Sequence, residues 1–83
     1  MDLATFSKGT QLTQIGLDDI QEGERYTPEA KQRLRDFKSQ ALQGDIVYHF
    51  RSEPEEWERG MGSEGYIVVR NEQVIAEFVL RMN

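Results

Sequence analysis

The spacing of apolar residues changes several times along this chain, and the changes divide it into elements. From Pro28 to about Gln43, Ala30, Leu34, Phe37 and Ala41 recur at steps of four, three and four, with Leu42 beside them. That is one apolar stripe on the helical period, so the pattern predicts a helix over 28–43. Its start is well marked. Thr27 suits the N-cap, Pro28 takes the first helical position, where a missing N–H costs nothing, and Glu29 favours the positive end of the dipole. Gly44, free to adopt positive φ, is expected to close it. Lys31, Arg33, Arg35 and Lys38 fall off the stripe and form a basic face.

Beyond the helix the period shortens. Asp45-Ile46-Val47-Tyr48-His49-Phe50 is rich in β-branched and aromatic residues and reads as a strand. Ser52-Glu53-Pro54-Glu55 has the spacing of a capping box, so Glu55–Glu58 can form a short helical turn, broken by Gly60-Met61-Gly62. Tyr66–Arg70 and Val74–Leu80 read as the two arms of a β-hairpin around Asn71-Glu72. Asn tolerates positive φ but Glu suits a type I′ loop poorly, so a three-residue loop with a bulge is the alternative. With the two-residue loop, Val69 pairs with Val74 and Ile67 with Ala76. Phe78 and Leu80 then continue one wholly apolar face, which is expected to take the helix. The opposite face carries Tyr66, Val68, Ile75 and Val79 with Arg70, Gln73, Glu77 and Arg81. It is too apolar for a solvated back, and predicts cover by the N-terminal arm, a second copy or a partner.

Residues 1–24 show no sustained period. Leu12-Thr13-Gln14-Ile15 breaks a two-residue alternation, and Gly9 and Gly16 interrupt a Ser/Thr/Gln-rich stretch. The expectation is an extended or partly disordered arm, with one helical turn over 17–23, followed by a single domain over 25–83. Together these readings give an α+β fold: one main helix on a three-stranded, mostly antiparallel sheet.

Composition narrows the chemistry. A chain of 83 residues supports one modest core. With no cysteine, disulfides, thiolate metal sites and cysteine nucleophiles are excluded. The first residues lack a basic segment followed by an apolar one, and no apolar run approaches a membrane span, so a cytoplasmic protein is expected. The net charge of −5 makes nucleic acid an unfavoured partner. The basic face of helix 28–43 is the one place where such binding would occur, and no aromatic stacking platform accompanies it.

The pattern Trp57-x4-Gly62-x2-Gly65-Tyr66-x3-Arg70, followed by an apolar strand and Met82-Asn83, resembles a family of small uncharacterised bacterial proteins, many of them cyanobacterial. The likeness runs in outline over 27–83 and is tight from Trp57 onward. Members tend towards Asp-Gly or Asn-Gly at the hairpin, where this chain has Asn71-Glu72. The resemblance implies a small domain and supplies no activity, cofactor or catalytic residue.

No constellation in the sequence points to catalysis or to a metal. His49 is the single histidine, and its strand neighbours two positions away are Val47 and Arg51, which suit an ordinary strand histidine better than a ligand. Glu53, Glu55, Glu56 and Glu58 lack the spacing of a calcium loop. Gly60-x-Gly62-x-x-Gly65 has the spacing of a nucleotide fingerprint, but a strand follows where a helix is required. Trp57 is either a lid on the core or an exposed anchor, and Tyr48 and Tyr66 share that choice. The expected function is a non-enzymatic protein-interaction or regulatory module without cofactor. Its surface is expected at Trp57, Tyr66, Val68, Arg70, Ile75 and Val79, and its partner is a protein or a second copy.

Overall fold

The computed structural model describes residues 1–83. Four strands, β1 (Thr10–Ile15), β2 (Ile46–Ser52), β3 (Ser63–Arg70) and β4 (Gln73–Met82), form an antiparallel sheet in chain order. Three helices, α1 (Leu3–Phe6), α2 (Pro28–Ser39) and α3 (Pro54–Glu58), and a 3₁₀ turn at Leu17–Asp19 complete the α+β fold. The expected sheet of three strands is therefore one of four, because residues 10–15, expected within an irregular arm, pair along β2.

Helix α2 starts as its sequence predicts. Thr27 Oγ1 accepts from the Ala30 N–H at 3.1 Å, Pro28 opens the first turn, and Leu34 and Phe37 are buried. It ends at Ser39 rather than Gln43. The Asp45 carboxylate accepts from the Leu42 N–H at 2.8 Å, and the chain turns there, with Gly44 at φ 93°. Gly44 thus serves the turn into β2 and not the helix terminus.

The hairpin has its two-residue loop, with Asn71 at φ 51° and Glu72 at φ 63°, the positive pair of a type I′ turn. Val69 pairs with Val74 as expected. The next pair corrects the expected register: Ala76 lies opposite Val68, not Ile67, because Ile75 is an extra residue on β4. A β-bulge of this kind moves everything beyond it to the other face. Ala76 and Phe78 therefore join Val68 and Tyr66 on the side that carries α2, while Ile67, Val69, Val74 and Val79 pack on the far side. Leu80 is a second extra residue, between the Gly65–Val79 and Glu64–Arg81 pairs.

Both faces are covered. On the helix side, Leu34 and Phe37 of α2 meet Val47, Val68, Ala76 and Phe78, and Ile20 closes the layer. On the far side, the first residues form a strap. Val74 N–H donates to the Met1 carbonyl and Leu3 N–H to the Glu72 carbonyl, both at 2.8 Å, which fixes the chain to the outer edge of β4. Asp2 caps α1 by accepting from the Thr5 N–H at 2.7 Å. Leu3 and Phe6 then pack on the Phe50, Ile67 and Val69 cluster, with the Phe6 and Phe50 rings edge to face at 5.1 Å.

Candidate functional site

Strand register arranges the helix-side face in three cross-strand rows. The first, Ile15, Val47, Val68 and Ala76, is apolar and lies beneath α2 and Ile20. The second is Thr13, His49, Tyr66 and Phe78, with the Tyr26 and Phe37 rings beside Phe78. The third, Gln11, Arg51, Glu64 and Arg81, is polar and lies towards Trp57 of α3. The helical layer thus thins out along the sheet and leaves a polar and aromatic end open.

Glu64 is the centre of that end. Its side chain is 15% exposed, and Oε1 accepts from Arg81 Nε at 2.9 Å and Nη2 at 2.6 Å. His49 Nε2 lies 2.8 Å from the other carboxylate oxygen. Burial by itself would raise the Glu64 pKa, but the hydrogen bonds from Arg81 and His49 outweigh it and hold the carboxyl below its ordinary range. Burial pushes the neighbouring Tyr66 phenol up, helped by Tyr26 and Glu64. The site thus carries a fixed carboxylate engaged on both oxygens.

Trp57 has two cations near its ring. The Arg51 and Arg81 guanidinium carbons lie 5.8 and 5.6 Å from its ring, each within the cation–π range worth ~0.5–1 kcal/mol at an exposed position. Its indole N–H donates to the Ser52 carbonyl at 3.1 Å. Gly62 lies so close that a Cβ there would be 2.3 Å from the indole, so this position requires glycine. Asn83 ties the same corner together, donating to the Trp57 carbonyl at 2.6 Å and accepting from Gly62 N–H at 2.8 Å. Arg81 is paired with Glu64, whereas Arg51 is exposed and makes no ion pair.

The six residues expected to form one surface are divided by the fold. Trp57 and Tyr66 reach the open end, both half-buried. Val68 is fully buried in the helix-side core, Ile75 sits at the bulge and packs towards the same core, and Val79 packs with the far-side cluster. Arg70 holds Asp45 through two hydrogen bonds of 2.9 and 2.8 Å and also donates to the Gln40 carbonyl at 3.2 Å. That bond network lowers the Asp45 pKa and makes Arg70 a clamp between β3 and the turn into β2. Arg51, Glu64 and Arg81, not singled out from sequence, join the site through the register, and His49 enters it as a partner of Glu64.

Three of the four basic side chains on α2 are engaged within the chain. Arg35 pairs with Glu22 at 3.1 Å, Lys38 donates to the Ile20 carbonyl, and Arg33 lies over the Phe78 ring. No three His, Asp or Glu side chains converge in a geometry that would hold a metal ion. No helix is long and apolar enough to cross a membrane. No family model, curated protein or solved structure matches this chain.

Proposed function

We propose that the chain is a non-enzymatic protein-interaction module that docks its partner on the open end of the helix-side face. One observation carries this reading: two guanidiniums lie within cation–π distance of Trp57, one of them without a carboxylate, where the helical layer leaves the sheet uncovered. Trp, Tyr and Arg dominate binding hot spots because they bury large areas and still offer donors. Here Gly62 and Asn83 fix the indole in advance, which lowers the ordering cost of binding. Arg51 asks for an acidic group, so the partner surface combines a carboxylate with an apolar patch for the indole. The bonds from Arg81 and His49 to Glu64 support a positioning part for that carboxylate in this reading.

Site-directed photo-crosslinking in the native host tests this. A crosslinker at Arg59, exposed two residues after Trp57 at the C-cap of α3, is compared with one at Gln32, exposed on α2. The expected result is a discrete adduct from position 59 that disappears in R51E and is absent from position 32. R51E removes the contact with the indole and sets a carboxylate opposite Glu64, so it should cost about 1–2 kcal/mol, and a circular dichroism melt shows that the variant is still folded. No adduct from position 59, or one that survives both R51E and W57A, would overturn the reading.

A further inference from the structure

The two edges of the sheet are protected to very different degrees. A bare edge strand is a template for pairing, and proteins blunt it with charges, bulges, proline or a covering segment. Strand β4 uses several of these devices. Met1–Leu3 covers its beginning, Ile75 and Leu80 bulge, and Glu77 and Arg81 place charge along it. Strand β1, Thr-Gln-Leu-Thr-Gln-Ile, is barer: it has no charge, no proline, no glycine and no bulge against β2, and only its first N–H, of Thr10, is engaged outside the β2 ladder, donating to the Ser7 carbonyl at 3.1 Å. Gln11, Thr13 and Gln14 along it are exposed.

Charge at the two ends of β1 indicates what pairs there. Lys8 precedes the strand, while Asp18 and Asp19 follow it, all exposed, and neither Lys8 nor Asp18 makes an ion pair within the chain. An antiparallel strand with the same charges in reverse order would complement both ends, and a second copy of this chain is such a strand.

We propose that β1 is a self-pairing edge, through which two copies join antiparallel about a two-fold axis at Thr13 to make one continuous eight-stranded sheet. Side chains that pair across an antiparallel ladder share a face, so the axis must pass through a residue. With Thr13 on the axis, Gln11 meets Ile15, Leu12 meets Gln14, and Lys8 of each copy comes beside Asp18 of the other. Every pair within the ladder is neutral. The helix-side faces lie on one side of the joined sheet, and the two Trp57 corners point to opposite ends, so this contact is independent of the surface proposed above. A six-residue edge is smaller than a standard interface of ~1,600 Å², so the dimer is reversible.

Sedimentation equilibrium of the full chain from micromolar to millimolar concentration tests the proposal. The wild-type chain is expected to show a monomer–dimer equilibrium. T13K sets two lysines against each other on the axis and is expected to weaken it at least about tenfold. K8E and D18K should each weaken it by about three- to tenfold, since two ion pairs become two repulsions, and the double variant K8E/D18K should restore it. Circular dichroism melts confirm that each variant is folded. A wild-type chain that stays monomeric at millimolar concentration overturns the proposal. So does a dimer indifferent to T13K and to the charge inversions, because it would form through another surface.

Discussion

Replacing Gly65 by alanine should remove a large share of this protein's stability, although the change adds one methyl group. Gly65 lies in β3 opposite Val79, beside the bulge at Leu80. A Cβ there would stand 2.1 Å from the Phe78 carbonyl oxygen and 2.9 Å from the Val79 Cα. Both are backbone atoms of the adjacent strand, so no rotamer change can relieve the contact. Restoring an ordinary separation requires β4 to move away by about 1 Å, enough to break roughly two ladder hydrogen bonds of ~2.9 Å. Each contributes ~0.5–1.5 kcal/mol, and the loosened packing of Phe50 and Val79 adds a similar amount, so the expected loss is ~2–4 kcal/mol. A domain of this length has roughly 4–12 kcal/mol in total. Urea denaturation of wild type and G65A, followed by far-ultraviolet circular dichroism, measures the difference. G44A is the control, because a Cβ at Gly44 meets nothing within 4 Å and the cost is only that of positive φ, about 1 kcal/mol. A G65A loss below about 0.5 kcal/mol, or one no larger than that of G44A, would refute the account of how β3 and β4 approach each other.

Two further outcomes follow from the open end of the sheet. G62A forces the indole of Trp57 away from its place near Arg51 and Arg81, so its fluorescence maximum should shift towards that of a fully hydrated tryptophan while the fold persists; an unchanged spectrum would show that the close approach is not needed. Acid should destabilise the protein through Glu64 and Asp45, whose folded-state pKa values both lie below their ordinary ones. The unfolded chain then binds more protons, so stability is full above the ordinary carboxylate range, falls once pH drops below about 4.5, and keeps falling through the lowered folded values. Thermal melts between pH 7 and 3 should show a shallower acid decline in E64Q/D45N, and an identical decline would count against both ion pairs.

Much of the fold was legible because local signals and tertiary structure agree. The Thr27-Pro28 start of α2 and the Asn71-Glu72 hairpin loop appear where the sequence places them, and the strand expected at 45–50 and the turn expected at 55–58 appear within two residues of their expected bounds, at 46–52 and 54–58. Strand β1 was missed for a physical reason. Leu12 packs on the far-side cluster and Ile15 on the helix side, so its apolar residues stand three apart on opposite faces. Alternation signals a strand with one dry face, and β1 belongs to a sheet with cover on both. The candidate surface failed at one residue. With Ile75 counted as paired, Val68 falls on the face away from the helix; with Ile75 as a bulge, Val68 shares a face with Ala76 and Phe78 and enters the core. No local feature of Val74-Ile75-Ala76 marks that extra residue, and the composition of the open end depends on it.

The strap at the start of the chain also orders events during synthesis. Met1 and Leu3 hold to Val74 and Glu72, and α1 rests on residues drawn from β2 and β3. About 70 residues of translation, roughly 4–14 s at typical rates, separate the strap from the strand it grips. Until β4 has been made, Leu3, Phe6 and Leu12 lack the full surface they will cover. The strap therefore settles only after the strand that seats it has been made.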